Sequence, residues 1–135
     1  MRIAFGTDER TALTDALCAH LARRGHEVIV VAADEPWPDV GRRVGEAVAA
    51  GSADRGVVCC WTGTGVSIAA NKVPHVRAAL CTDAETARGA RRWNDANVLA
   101  VGLRLTSATV GEELLDAFLD TAPDPGETAE IRKLG

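Results

Sequence analysis

The stretch Gly56-Val57-Val58-Cys59-Cys60-Trp61-Thr62-Gly63-Thr64-Gly65-Val66-Ser67 decides the architecture of this chain. Its first five residues are small or apolar with no polar interruption, the pattern of a strand covered on both faces. Glycine-spaced polar residues follow, and Val66 to Asn71 then reads as a short helix. Strand, loop, helix is the unit.

The same unit recurs in both directions. Arg2-Ile3-Ala4-Phe5-Gly6 is a short apolar strand, and Leu13, Leu17 and Leu21 then repeat at helical spacing until Arg23-Arg24-Gly25. Val28 to Val31 is a second strand; after the loop Glu35-Pro36-Trp37-Pro38, a helix is marked by Val40, Val44, Ala47 and Val48. Beyond the central segment come a strand over Val76 to Cys81, a helix over Ala84 to Arg92, a strand over Val98 to Val101 and a helix over Val110 to Leu119. Such alternation predicts an α/β fold, a Rossmann-like doubly wound open sheet of about five parallel strands with helices on both faces. Residues 1–122 form this domain. The tail, 123–135, opens with Pro123-Asp124-Pro125-Gly126, is too short to bury much by itself, and is expected to dock on a partner subunit or stay mobile.

A chain of 135 residues supports one domain, and 47% hydrophobic with 25% charged residues is globular, not disordered, composition. A net charge of −4 supplies no broad basic surface, which argues against nucleic acid and for a small-molecule ligand. No apolar run approaches the ~20 residues of a membrane span. Met1-Arg2 leads directly into the first strand without a signal-peptide layout, so a cytoplasmic location is expected. Cys18, Cys59, Cys60 and Cys81 lack C-x-x-C spacing and are expected to be free thiols, with no metal site.

In open parallel sheets, ligands bind beyond the carboxyl ends of the strands. The richest such loop is Cys60 to Ser67, where glycines let backbone approach a ligand and a helix start leaves N–H groups free for an anion or developing oxyanion. A cysteine beside a helix start can act as a thiolate base or nucleophile. The G-x-G spacing alone is equally compatible with packing, and a cysteine ending a buried strand is more often a small hydrophobe. Cys59, facing the other way, takes that structural role, as do Cys18 and Cys81.

The segments Asp54 to Cys60, Gly65 to Pro74, Val76 to Cys81, Asn94-Asp95-Ala96-Asn97-Val98-Leu99-Ala100 and Gly102-Leu103-Arg104 resemble the type B ribose-5-phosphate isomerase and galactose-6-phosphate isomerase family, in order along nearly the whole chain. The resemblance implies interconversion of aldoses and ketoses through an enediolate, with no metal and no cofactor. It places Cys60 as general base, and Thr62 with the backbone around Gly63 and Gly65 as holders of the enediolate oxygen. Asp8 and Asn94 match positions that hold sugar hydroxyls, and Arg104 matches one that helps hold phosphate. It also implies a homodimer with sites built across the subunit interface.

Several family residues are replaced. Glu9 stands for a His, Trp93 for the ring-opening His, Trp61 for a Gly, and Trp37 for a Tyr beside the site. The tail carries Glu127 and Glu130 in place of a phosphate-binding Arg-His-x-x-Arg cluster, with only Arg132 as a register-shifted substitute. Like charges repel a phosphate dianion, so ribose 5-phosphate is not the expected substrate. The three tryptophans map near one cleft and favour flat or apolar ligand parts, or pack an interface. Glu9 is either a new acid/base partner or a solvated loop carboxylate. The reading is therefore a metal-independent isomerase or epimerase of a non-standard carbonyl or sugar substrate, unphosphorylated or aromatic-bearing. One alternative is a sugar-phosphate isomerase with an anion site rebuilt from Arg10, Arg104 and Arg132; another is a non-catalytic binding protein or inactive subunit of a hetero-oligomer.

Overall fold

The computed structural model describes residues Met1–Gly135. Five strands, β1 (Arg2–Thr7), β2 (Glu27–Ala33), β3 (Arg55–Cys60), β4 (Ala78–Leu80) and β5 (Val98–Gly102), form one all-parallel sheet in the order β2-β1-β3-β5-β4. The helices are α1 (Ala12–Arg23), α2 (Trp37–Ala49), α3 (Thr64–Asn71), α4 (Ala84–Asn94), α5 (Ala108–Asp120) and a terminal turn, α6 (Thr128–Arg132). No helix is long and apolar enough to cross a membrane.

Alternation within β3 divides the core into two layers. Val57 and Cys59 pack with Leu17 and Leu21 of α1, Ala87 and Ala90 of α4, and Leu114, Leu115 and Phe118 of α5. Val58 and Cys60 face the other way, into Val40 and Val44 of α2 and Val66 and Ala70 of α3. The doubly wound α/β sheet expected from the alternation is the fold observed.

Three boundaries differ from the sequence expectation. Trp37 and Pro38, read as loop, begin α2, because proline is tolerated in the first turn where its missing N–H bonds to nothing. The fourth strand shrinks to Ala78–Leu80; it is an edge paired only with β5, and a left-handed turn at His75 precedes it. At the start of the tail, a segment that read as a turn, Asp124 donates its N–H to the Arg92 carbonyl (2.8 Å) and its side chain caps Gly126 (2.9 Å), so a short helical turn begins there. None of its helical residues is buried.

The strand order places the topological switch between β1 and β3, since the chain moves outward from β1 to β2 and then returns to the other side. A ligand crevice belongs outside the carboxyl ends of these two strands. Thr7 pairs with Cys59 there, and Asp8 donates its N–H to the Cys59 carbonyl (3.2 Å), which joins the two loops.

Candidate active site

A cavity of about 340 Å³ opens at the switch point, lined by Asp8, Trp37, Cys60, Trp61, Thr62, Thr64 and Gly65. Cys60 ends β3 and is only 5% exposed, yet its surroundings include this opening. The following loop is held by β5: Leu103 donates to the Cys60 carbonyl and Arg104 to the Trp61 carbonyl, both at 2.9 Å. Gly63 then turns the chain with φ +77, and a Cβ there would lie 2.9 Å from the Gly102 nitrogen, so both its conformation and its surroundings demand glycine. Gly63 is also the N-cap of α3 and offers no side chain to its first turn. The N–H groups of Thr64, Gly65 and Val66 find no acceptor in the chain, and such amides hold an anion or oxyanion. Thr62 and Thr64 bond to each other through their hydroxyls (2.7 Å).

Burial pushes the Asp8 carboxyl above its ordinary value, and the charge of Glu9 adds to the rise against the two loop amides that it accepts from. Glu9 itself is exposed and outside the cavity lining, and the Thr7 hydroxyl bridges its backbone (2.6 and 3.3 Å). Cys59 is wholly buried and burial raises its thiol strongly, with Cys18, Cys60 and Asp8 adding to the effect. Burial, with Asp83, pushes Cys81 up to about 11. All four cysteines are free, and no group of three His, Cys, Asp or Glu side chains clusters as a metal site.

The cleft therefore gathers Asp8, Cys60, Trp61, Thr62, Gly65 and Trp37, with Gly63 shaping the loop. It does not gather the other candidates. Trp93 and Asn94 line a separate cavity of about 600 Å³ with Leu80, Asp83 and Thr86, so the three tryptophans do not share one cleft in the single chain. The reason is the strand order: α4 leads into β5 and flanks β4 at the sheet edge, away from the β1/β3 switch. Arg104 is exposed, and only its backbone touches the loop. Burial and Asp15 raise the Cys18 thiol, which Arg10 offsets only in part, and Arg10 is not a lining residue of the cleft. Arg132 lines a cavity of about 480 Å³ with Arg77, Asp95 and Asp124 at the amino ends of β4 and β5. That is the opposite end of the sheet from Cys60, a strand length of ~17 Å away. Thr64, which the sequence reading passed over, lines the cleft; its position two residues after Thr62 at a helix start was the available signal.

A doubly wound sheet with its cleft at the switch point defines a small-molecule-binding α/β protein. The sequence profile of the ribose/galactose isomerase family matches residues 3–134, and the chain belongs to that family of isomerases. It is 42% identical over 119 residues to the galactose-6-phosphate isomerase subunit LacB of Clostridium acetobutylicum, covering 84% of this chain and 69% of that one. It is 38% identical over 130 residues to ribose-5-phosphate isomerase B of Escherichia coli (93% and 87% covered). The D-erythrulose-4-phosphate isomerase of Pectobacterium atrosepticum is 33% identical over 142 aligned residues (100% and 93%). Among solved structures, ribose-5-phosphate isomerase B of Clostridium thermocellum superposes with a TM-score of 0.95 at 38% identity, over 100% of this chain and 95% of that one. The Trypanosoma cruzi type B enzyme gives 0.89 at 38% identity (99% and 93%).

Proposed function

We propose that this isomerase moves a proton between neighbouring carbons of a small α-hydroxy carbonyl compound through an enediolate, with Cys60 as the base. The observation that carries the reading is the juxtaposition of Cys60 with the unpaired amides of the first turn of α3 in one cavity. Cys60, as thiolate, takes the C–H proton beside the carbonyl. The carbonyl oxygen becomes the enediolate oxygen and is held by the Thr64 and Gly65 amides with the Thr62 hydroxyl, donors preorganised for charge that develops only during the reaction. The thiol then returns the proton to the neighbouring carbon, while the adjacent hydroxyl, bound by Asp8, becomes the new carbonyl by passing its own proton across the site to the enediolate oxygen. The scheme uses neither metal nor cofactor.

The relatives are named for sugar phosphates. The cleft of this chain favours an unphosphorylated or aromatic-bearing substrate, because none of its seven lining residues is a cation and Asp8 already feels the charge of Glu9. The pattern of residues also fits a homodimer in which a second copy presents Trp93, Asn94 and the tail to this cleft. One observation favours a sugar-phosphate substrate with a rearranged anion site: the Arg104 side chain is exposed on the residue whose own N–H bonds to the Trp61 carbonyl.

Solvent deuterium incorporation followed by NMR tests the reading on phosphorylated and unphosphorylated aldoses, ketoses and aryl hydroxyketones. Exchange that disappears in Cys60→Ala and persists without phosphate is the expected result. Exchange confined to phosphorylated compounds selects the Arg104 alternative. No exchange above the Cys60→Ala background on any compound overturns the isomerase mechanism and leaves a binding or partner-subunit role.

A further inference from the structure

We propose that Trp37, seated on Gly65, is the specificity-determining surface of the cleft and stacks a flat, uncharged ring carried by the substrate beyond its hydroxy-carbonyl head. The inference rests on the proton-transfer reading and extends it to the other end of the substrate. A Cβ on Gly65 would lie 2.9 Å from both Cδ2 and Cε3 of Trp37 and 3.4 Å from Cε2. The six-membered part of the indole therefore lies directly on the backbone of the first turn of α3, beside the amides assigned to the enediolate oxygen. The ring is fixed from behind. Trp37 opens α2 between Pro36 and Pro38, and α2 approaches α3 so closely that a Cβ on Gly41 would meet the Ala69 side chain at 2.5 Å. With 45% of Trp37 and 55% of Trp61 exposed, the cavity presents two uncovered aromatic surfaces at its mouth.

The polar inventory of the cleft points the same way. The Thr62 and Thr64 hydroxyls share one hydrogen bond, so this chain offers a ligand one remaining threonine O–H, the Asp8 carboxylate, the Cys60 sulfur and the backbone amides. That set matches one carbonyl and one hydroxyl. The further hydroxyls of a long polyol would find no partners in this chain's own lining and would depend on groups of the second copy. A dianion would meet Asp8 and the field of Glu9 with no lining cation to offset them. A ring stacked on indole requires neither charge nor further hydrogen bonds.

The chain has three tryptophans, so a ¹⁵N-labelled sample gives three indole N–H resonances, and Trp37→Phe assigns one of them. Titration with 2-hydroxyacetophenone is expected to move the Trp37 resonance. Dihydroxyacetone, which has the same head without the ring, and inorganic phosphate are expected to leave it in place. In deuterium exchange, Trp37→Ala lowers the ratio of kcat/KM for 2-hydroxyacetophenone to kcat/KM for dihydroxyacetone about tenfold, chiefly through KM, and Trp37→Phe restores most of that ratio. Phosphate moving the Trp37 resonance as far as the aryl ketone overturns the proposal. So does an equal loss of kcat on both compounds in Trp37→Ala, the signature of a structural role. A responding Trp37 without any exchange retains the ring site and removes the Cys60 mechanism; exchange of the aryl ketone with a silent Trp37 does the reverse.

Discussion

The two ends of the sheet treat polar groups in opposite ways. At the amino ends of the strands, Arg91 is 3% exposed and fully engaged: it donates to the Thr121 carbonyl (3.1 Å), to the Asp95 carboxylate (2.8 Å) and to the Ala96 carbonyl (2.6 Å). Arg77 holds the other oxygen of Asp95 (3.3 Å) and its carbonyl (2.8 Å), and Asn97 brackets the Arg77 amide (2.8 Å) and the His75 carbonyl (2.9 Å). Arg55 donates to the Phe118 and Leu119 carbonyls, and the Arg55 and Arg91 guanidiniums lie over the Phe118 ring at 5.4 and 5.8 Å. Burial and the like charge of Arg91 push Arg55 down to about 10. At the carboxyl ends, by contrast, the first-turn amides of α3 are free, Asp8 has no cationic partner, and two indoles stand half in solvent. One end satisfies its buried groups and so stabilises the fold; the other leaves polar groups unpaired at an open cleft, the arrangement expected of the proposed site, at a cost in stability.

Substitutions should therefore separate rate from stability. Removing the proposed base in Cys60→Ala is expected to lower the exchange rate by about 10²–10⁴ while the urea midpoint moves little, since the change removes one sulfur atom. At the other end, Arg91→Met strands two carbonyls and a carboxylate and is expected to cost about 3 kcal/mol in urea unfolding, with exchange per folded molecule unchanged. Comparable rate losses in both variants would break the contrast. Gly63→Ala should fall between them. It forces a side chain into a left-handed turn against Gly102 backbone, with an expected loss of about 2 kcal/mol and a drop in exchange of roughly tenfold or more as the amides shift.

The smallest effects sharpen the comparison through pH. On the α1/α5 surface, partial burial raises Asp116, but the His20 hydrogen bond (2.7 Å) and charge, with Arg24 (2.9 Å), outweigh it and hold the carboxyl below its ordinary value. Its stabilisation is full above the unfolded carboxylate range, near pH ~4, and is lost as pH falls through the lower folded value. Asp8 has the opposite sign. Its folded value is raised, so its ionisation destabilises the fold, a penalty absent below pH ~4 and complete above the folded value. At pH 7, Asp116→Asn should lower the urea midpoint and Asp8→Asn should raise it. Both differences should vanish in acid, and equal signs at pH 7 would contradict the division between the two ends.

Local pattern carried much of this protein. The run Gly56 to Cys60 made β3 a strand buried on both faces, and period-two alternation assigned Cys59 and Cys60 to opposite layers, because those properties depend on neighbours in the chain. Glycine spacing marked the loop after Cys60 for the same reason, and the order of motifs along the chain carried the family. Tertiary structure alone decided which distant residues meet. The order β2-β1-β3-β5-β4 brings Asp8 and Trp37 to Cys60, turns Trp93 and Asn94 toward a second cavity, and sends Arg132 to the far end of the sheet. No periodicity encodes that outcome, since it follows from the side of the sheet on which each crossover packs and from the strand beside which it returns.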